Sequence, residues 1–423
     1  MKRFNIALLH YSCPPVVGGV EEVIRQQADL LHRNYHHVKV LAGAGEQFSD
    51  KFPIEINPIL SSRDTRVQNA HKNCLNGNTE PLIKLEDKIY NYLCSSLENF
   101  DAIIAHNVIS MNFSLALTMA MHHLAETHSI KVISWNHDSP YFYKNYPSYL
   151  DNEPWKILKT FNSKIHYIAI SHSRKNRFQR LFNIKAEISV IPNGIDPFDA
   201  FKLHPATVDI IKENSLFSAD LIFVQPSRLI PRKNIELSIR VLRAIHDTGI
   251  NAKLILTGAH DPHGPLEKSY YSDLKNLARS LKVEKDLIVL EDYTLKTSQK
   301  IKPDQIFIRD FYLLGDVLFM PSLDEGFGLP LLEAGMTKLP VICSNIKPFI
   351  EIGSDNVCSF NLDETPEKIA NQALNFLKKI PTHKMYRKVI KNYVWDIIYE
   401  SHIYPLLIKI CSEKNDNINR ENL

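Results

Sequence analysis

The chain has 423 residues, which at about 150 residues per domain implies two or three compact units. Hydrophobic residues make up 44% and charged residues 23%, a balance that excludes a disordered or membrane-embedded protein. Fifty Lys and Arg against 47 Asp and Glu leave a net charge of +3, too small to imply a nucleic acid partner.

Met1-Lys2-Arg3 and the apolar run to Leu9 imitate a signal peptide, but the run is short and ends in Cys13-Pro14-Pro15. A first β-strand over 6–11 is therefore expected. Further strands are expected over 38–42, 102–105, 131–135, 165–170 and 188–191, with helix-spaced apolar residues over 20–33 and 82–97. A polar stretch from Pro192-Asn193-Gly194 to about residue 220 reads as a linker. The pattern then restarts with strands over 221–224, 253–256, 287–290, 317–320 and 341–343 and helices over 235–246 and 271–281. Residues 294–309 have no clear period and read as a loop with a short helix; residues from 411 onward are polar and expected to fray. Two strand–helix series of this kind imply two doubly wound α/β domains, with ligands bound outside the carboxyl ends of the strands, in a cleft between the domains. Six scattered cysteines without C-x-x-C fit a reducing cytosol better than a disulfide scaffold or structural zinc. No stretch approaches 18 apolar residues, so no membrane span is expected.

Glycine is scarce, at 14 residues where about 7% is usual, so each one points to backbone kept bare. Gly18-Gly19 lie between the first strand and the first helix; this pattern fits either a tight turn or an anion approaching a helix N-terminus. It is not the G-x-G-x-x-G of dinucleotide binding. Pro321-Ser322-Leu323-Asp324-Glu325-Gly326-Phe327-Gly328-Leu329-Pro330 follows a strand and opens a helix. Glu325 would sit in that loop and Glu333 one turn inside the helix, so both could face one ligand. Ser227-Arg228-Leu229-Ile230-Pro231-Arg232-Lys233-Asn234 follows another strand. Its cations fit phosphate oxygens, or alternatively a solvated loop.

With these segments assembled, the chain resembles the retaining glycosyltransferases of family 4, over nearly its whole length. Glu325…Glu333 looks like that family's E-x7-E motif, and Pro340-Val341-Ile342 and Val190-Ile191-Pro192-Asn193-Gly194-Ile195-Asp196 also match. The resemblance implies a GT-B fold, two facing Rossmann-like doubly wound domains with a cleft between them. Residues 1–195 would form the acceptor-side domain, completed by a C-terminal helix over 394–415, and 196–393 the nucleotide-sugar domain. Domain closure would hinge at 193–220 and near Val394. It implies that Arg228 and Lys233 bind the donor diphosphate, and that Glu333 holds the ribose. Glu325 would meet the sugar, with Gly326, Phe327, Gly328 and Leu329 beside it. Gly18 and Gly19 match the family's N-terminal glycine loop on the donor. The family's N-domain histidine falls on His137, with His106 the second candidate and Asn136 and Asp138 as neighbouring sugar or acceptor contacts.

Two departures, Thr337-Lys338-Leu339 before the Pro-Val strand and Leu290-Glu291-Asp292-Tyr293 at a strand end, flank the nucleotide region and leave the base open. The activity implied is transfer of a hexose from a UDP- or GDP-sugar to a glycan, lipid or small-molecule acceptor. Only Glu325 is placed near the sugar, so a front-side displacement is expected rather than a two-carboxylate mechanism. No D-x-D occurs, so no metal and no cofactor are expected. The alternatives are a GT-B sugar phosphorylase or nucleotide-sugar epimerase, and a non-catalytic nucleotide-sugar-binding protein. Residues 46–79 and 139–154 would wall the acceptor site. A cytoplasmic protein is expected. The basic stretch Arg174-Lys175-Asn176-Arg177, with Phe178, Arg180 and Phe182, reads either as a solvated helix face or as a peripheral contact with the membrane's inner surface.

Overall fold

The computed structural model describes residues 2–183, 185, 187–258, 267–291, 293–298, 300–301 and 304–412. The chain divides into two compact units: everything up to Asp196 together with the segment from Tyr393 on, and Pro197–Asn392.

The first unit carries a seven-stranded sheet. Its strands are β1 (Asn5–His10), β2 (His37–Ala42), β3 (Ile54–Ile56), β4 (Ala102–His106), β5 (Lys131–Asn136), β6 (Ile165–Ala169) and β7 (Ser189–Val190). They run parallel in the order β3-β2-β1-β4-β5-β6-β7. The second unit has six parallel strands: β8 (Leu221–Gln225), β9 (Ala252–Leu256), β10 (Leu287–Val289), β11 (Val317–Met320), β12 (Val341–Ser344) and β13 (Cys358–Phe360), ordered β10-β9-β8-β11-β12-β13. Strands β4, β8, β11 and β12 are buried at every residue, as expected of parallel strands covered on both faces. In each sheet the chain reverses its direction of growth once, between β1 and β4 and between β8 and β11. These are the switch points at which loops diverge and leave room for a ligand.

Three expectations need correction. The stretch after Asn193 is not an open linker: helices Pro197–Phe201 and Pro205–Glu213 lie within it. Ile210 and Ile211 of the second helix pack with Leu216, Phe307 and Phe311, so a short apolar face overrides the polar composition. Cys411 does not fray; it is buried against the first sheet at the end of helix Tyr404–Ser412. By contrast, the C-terminal helix expected over 394–415 is present from Trp395 to Ser412, with one π-helical turn, Tyr399–Ile403, inside it; residues 413–415 lie outside the described residues. The helix expected within 294–309 begins only at Gln305, capped by Asp304, and runs to Leu314; Lys302 and Pro303, just ahead of it, lie outside the described residues.

The C-terminal segment is fastened to the first unit by specific contacts. Ile195 and Val394 form a parallel bridge, with Ile195 N–H donating to Tyr393 O at 2.8 Å. Trp395 is fully buried, and a Cβ on Gly194 would come within 2.6 Å of its ring, so only glycine fits there. Arg33, at the end of helix Gly19–Arg33, pairs with both Asp196 (2.9 Å) and Asp396 (2.8 Å). No described helix is long and apolar enough to cross a membrane.

Candidate functional site

The candidate residues fall into two groups, one at the switch point of each sheet. In the second unit, the loops after β8 and β11 are laced together. Leu323 N–H donates to Arg232 O at 2.8 Å, and Asn234 Nδ2 donates to Pro321 O at 3.1 Å. Asn234 has φ +52°, a left-handed conformation that asparagine tolerates, and it turns a short 3₁₀ segment, Pro231–Lys233, into helix Ile235–Asp247. Gln225, buried at the end of β8, holds this turn from beneath. Its Nε2 donates to Lys233 O at 3.0 Å, while its Oε1 accepts from Ser238 Oγ at 2.6 Å.

That scaffold brings Lys233 against Glu325. Lys233 Nζ donates to Glu325 Oε1, Ser322 Oγ donates to the same oxygen at 2.8 Å, and Arg232 Nη1 approaches Oε2 at 3.3 Å. The Lys233 and Glu325 side chains are only 11% and 9% exposed. Burial alone would raise the Glu325 pKa, but the hydrogen bonds from Lys233 and Ser322 and the two positive charges outweigh it and lower it. Arg228 lies exposed on the same β8 loop.

Gly326 and Phe327 are exposed on the β11 loop, and Leu329 is exposed at the start of the helix that follows. Gly328 caps helix Leu329–Thr337 with φ +116°, which a side chain would strain, and Phe349 lies 3.0 Å from where its Cβ would be. Among the described residues no atom lies within 4 Å of where a Cβ on Gly326 would be. Glu333 is exposed on that helix and accepts a hydrogen bond from the buried Tyr312 hydroxyl, whose pKa is raised first by burial and then by this carboxylate.

In the first unit, His10, His106 and His137 meet at the carboxyl ends of β1, β4 and β5. His10 Nδ1 lies 2.8 Å from His106 O, and His106 Nδ1 lies 3.2 Å from His137 Nε2. His106 is completely buried, His10 is 6% exposed and His137 9%. Burial is the main cause holding all three below the ordinary histidine pKa, with the neighbouring rings adding to the effect on His106. His137 is brought to about 3, although Asp138 opposes the shift. The loop after β5 is fixed by Asn107 (φ +57°), whose Oδ1 accepts from His137 N at 2.7 Å and Asp138 N at 3.1 Å. Asn136 is turned inward, donating to Ser134 O and Ile168 O, and Asp138 pairs with Arg174 at 3.1 Å.

Gly18 and Gly19 open the first helix. A Cβ on Gly18 would overlap the carboxylate of Glu21, which accepts from Ser12 Oγ at 2.6 Å and stands 3.9 Å from His10 Nε2. Gly18 thus makes room for a side chain of its own helix. In the basic stretch, Phe178 and Phe182 are 1% and 7% exposed. Arg174 and Arg177 lie over the Phe142 ring at 5.2 and 5.6 Å, and the two phenylalanine rings of the stretch are packed inside the fold. Among the described residues no cluster of three or more His, Cys, Asp or Glu could hold a metal ion.

Lys233 and Glu325 come together as candidates in the second unit, and His106, His137, Asn136 and Asp138 in the first. Arg232, Ser322, Gln225 and Tyr312 were not singled out as site residues in the second unit, nor were His10, Glu21, Asn107 and Asn193 in the first. Arg232, Ser322 and Asn193 stand inside the quoted motifs; Gln225, Tyr312, His10, Glu21 and Asn107 join the site only through the packing of strands and helices.

Two family models match successive parts of the chain: "Glycosyltransferase Family 4" over residues 17–198 and "Glycosyl transferases group 1" over 208–393. Mannosylglucosylglycerate synthase of Petrotoga mobilis is 27% identical over 80% of this chain and 81% of its own. The enzyme of that name from Thermotoga maritima is 22% identical over 92% and 94%. Among solved structures, sucrose-phosphate synthase from Thermosynechococcus elongatus aligns over 96% of this chain and 99% of its own, at 16% identity and a TM-score of 0.39.

Proposed function

Because the chain belongs to glycosyltransferase family 4, within the group 1 glycosyl transferases, we propose that it moves a hexose from a nucleotide-sugar donor to an acceptor hydroxyl and keeps the donor's anomeric configuration. A mannosyl donor is favoured by the two relatives that span most of the chain, both named for a mannosylated product. The observation that carries the reading is the Lys233–Glu325 pair, a cation and a carboxylate preassembled at the β8/β11 switch point.

In this reading the donor's diphosphate draws on Lys233 and Arg228, which stabilise the charge that develops as it leaves. Contact with the diphosphate relieves Glu325 of part of its hold on Lys233 and leaves it to accept hydrogen bonds from sugar hydroxyls. Glu333, held by Tyr312, accepts from the ribose. The bond from the anomeric carbon to the diphosphate oxygen breaks. A bond to the acceptor oxygen forms on the same face, and the acceptor's proton passes to the departing diphosphate. No second carboxylate takes part as a nucleophile, and no metal is required.

The test is to screen UDP- and GDP-hexoses for thermal stabilisation and to determine the product's anomeric configuration by NMR. An α-linked donor should yield an α-linked product; an inverted product overturns the mechanism.

A further inference from the structure

Rings such as that of His137 have two neutral forms, and its neighbours select one of them. The Trp135 indole N–H can only donate, and it lies 3.3 Å from Asn193 Oδ1. That bond fixes the orientation of the amide and turns its NH₂ group toward His137 Nδ1 at 3.3 Å. An NH₂ group can only donate, so Nδ1 must carry a lone pair and the proton must sit on Nε2. His137 Nε2 then donates to His106 Nδ1, which places the proton of His106 on its own Nε2. That Nε2 is buried with no hydrogen-bond partner among the described residues. A run of donors thus extends from Trp135 through Asn193 and His137 to His106.

We infer that Asn193, in the segment leading to the second unit, is a positioning residue that holds His137 neutral and protonated only on Nε2. Protonating His137 at Nδ1 would set an N–H against the amide's N–H bonds, so Asn193 bars the imidazolium form by geometry. Both ring nitrogens of His137 are then committed within the protein. What His137 presents to a ligand is a fixed, uncharged ring rather than an acid or a base. The consequence for transfer rests on the placement of His137 beside the donor sugar; the tautomer does not. The titratable and charged groups around the ring are His106, His10 and Asp138, with Arg174 paired to Asp138 and Glu21 beside His10.

The test is ¹⁵N spectroscopy of the full chain labelled at its histidine rings, with the His137 signals identified by their loss in His137→Gln. At neutral pH the wild-type ring should show a bare Nδ1 and a protonated Nε2; a protonated Nδ1 overturns the inference without any need for a variant. Asn193→Asp places a carboxylate oxygen where the NH₂ stood, so Nδ1 should gain a proton. Turnover should fall by about ten- to a hundredfold. The loss should be greatest at acidic pH, where the imidazolium is now accommodated. An unchanged ring signature in Asn193→Asp overturns the assignment. The expected ring change with unaltered turnover at all pH values overturns the role in transfer while leaving the hydrogen-bond chain standing.

Discussion

Lys233 and Glu325 stand ninety-two residues apart in the chain, yet the ammonium of one donates to the carboxylate of the other. Strand order explains the meeting. Strands β8 and β11 are neighbours at the switch point, so the loops that leave their carboxyl ends face each other. Removing one partner strands the other in a site where each side chain is about nine-tenths covered.

Lys233→Ala should therefore destabilise the chain by about 2 kcal/mol, between the values for exposed and fully buried pairs. Lys233→Met combined with Glu325→Gln should cost less than the sum of the two single changes, because no unpaired charge remains. Urea denaturation of the four proteins measures the coupling, and strict additivity would show that the pair is energetically idle. The pKa of Glu325 is lowered in the folded state, so the pair's stabilisation is present above the ordinary glutamate range. It is lost as pH falls through the lower folded value.

The sheets were legible in the sequence because parallel strands buried on both faces read as apolar runs, as Leu221–Gln225 and Val317–Met320 do. Strands β3 and β13 were not: each is three residues long, lies at a sheet edge and is only partly buried. Helix Leu115–Thr127 escaped for the opposite reason, being apolar nearly all round, which erases the helical period. At the site, Glu325 and Lys233 were legible because a loop motif announces them. The histidine cluster was only half legible. His106 and His137 follow strands that were expected, whereas pairing them with His10 and Asn193 requires the order β1-β4-β5 and the path of the chain after β7.

Tyr312 offers a test of the role proposed for Glu333. Its hydroxyl donates to that carboxylate from a buried position on helix Gln305–Leu314. Tyr312→Phe keeps the ring and removes the bond, leaving Glu333 free to rotate. The loss is about 1 kcal/mol, or roughly fivefold, and should fall on the donor KM rather than on kcat. The same variant should narrow the preference for a ribose donor over its 2′-deoxy analogue. An unchanged preference would separate Glu333 from the ribose.

Turnover should survive chelation. The charge that develops on the diphosphate is met in this proposal by Arg228 and Lys233, so EDTA should leave the initial rate unaltered, whereas Lys233→Ala should lower kcat by about a hundredfold. Loss of activity in EDTA that a divalent ion restores would contradict the proposal.

Acid should weaken the fold through histidines that are held neutral. Burial brings His122 and His71 to about 4 and His137 to about 3, against 6.5 for a free side chain. His71 Nε2 also accepts the backbone N–H of Leu115 at 3.0 Å, a bond that a proton on that nitrogen would abolish. Below pH 6.5 the unfolded chain takes up protons that the folded chain refuses, so stability falls as pH drops toward 4. Each such histidine contributes a slope of about 1.4 kcal/mol per pH unit within that window. His122 lies on helix Leu115–Thr127, apart from the candidate ligand contacts, and suits a clean test. His122→Gln cannot titrate, so its urea-derived stability should decline less steeply between pH 6.5 and 4.5, by about one proton's worth of slope. The variant and the parent chain should therefore draw together, or cross, as the solution is acidified. Parallel pH profiles would mean that His122 titrates alike in the folded and unfolded chains, and the burial argument would fail for it.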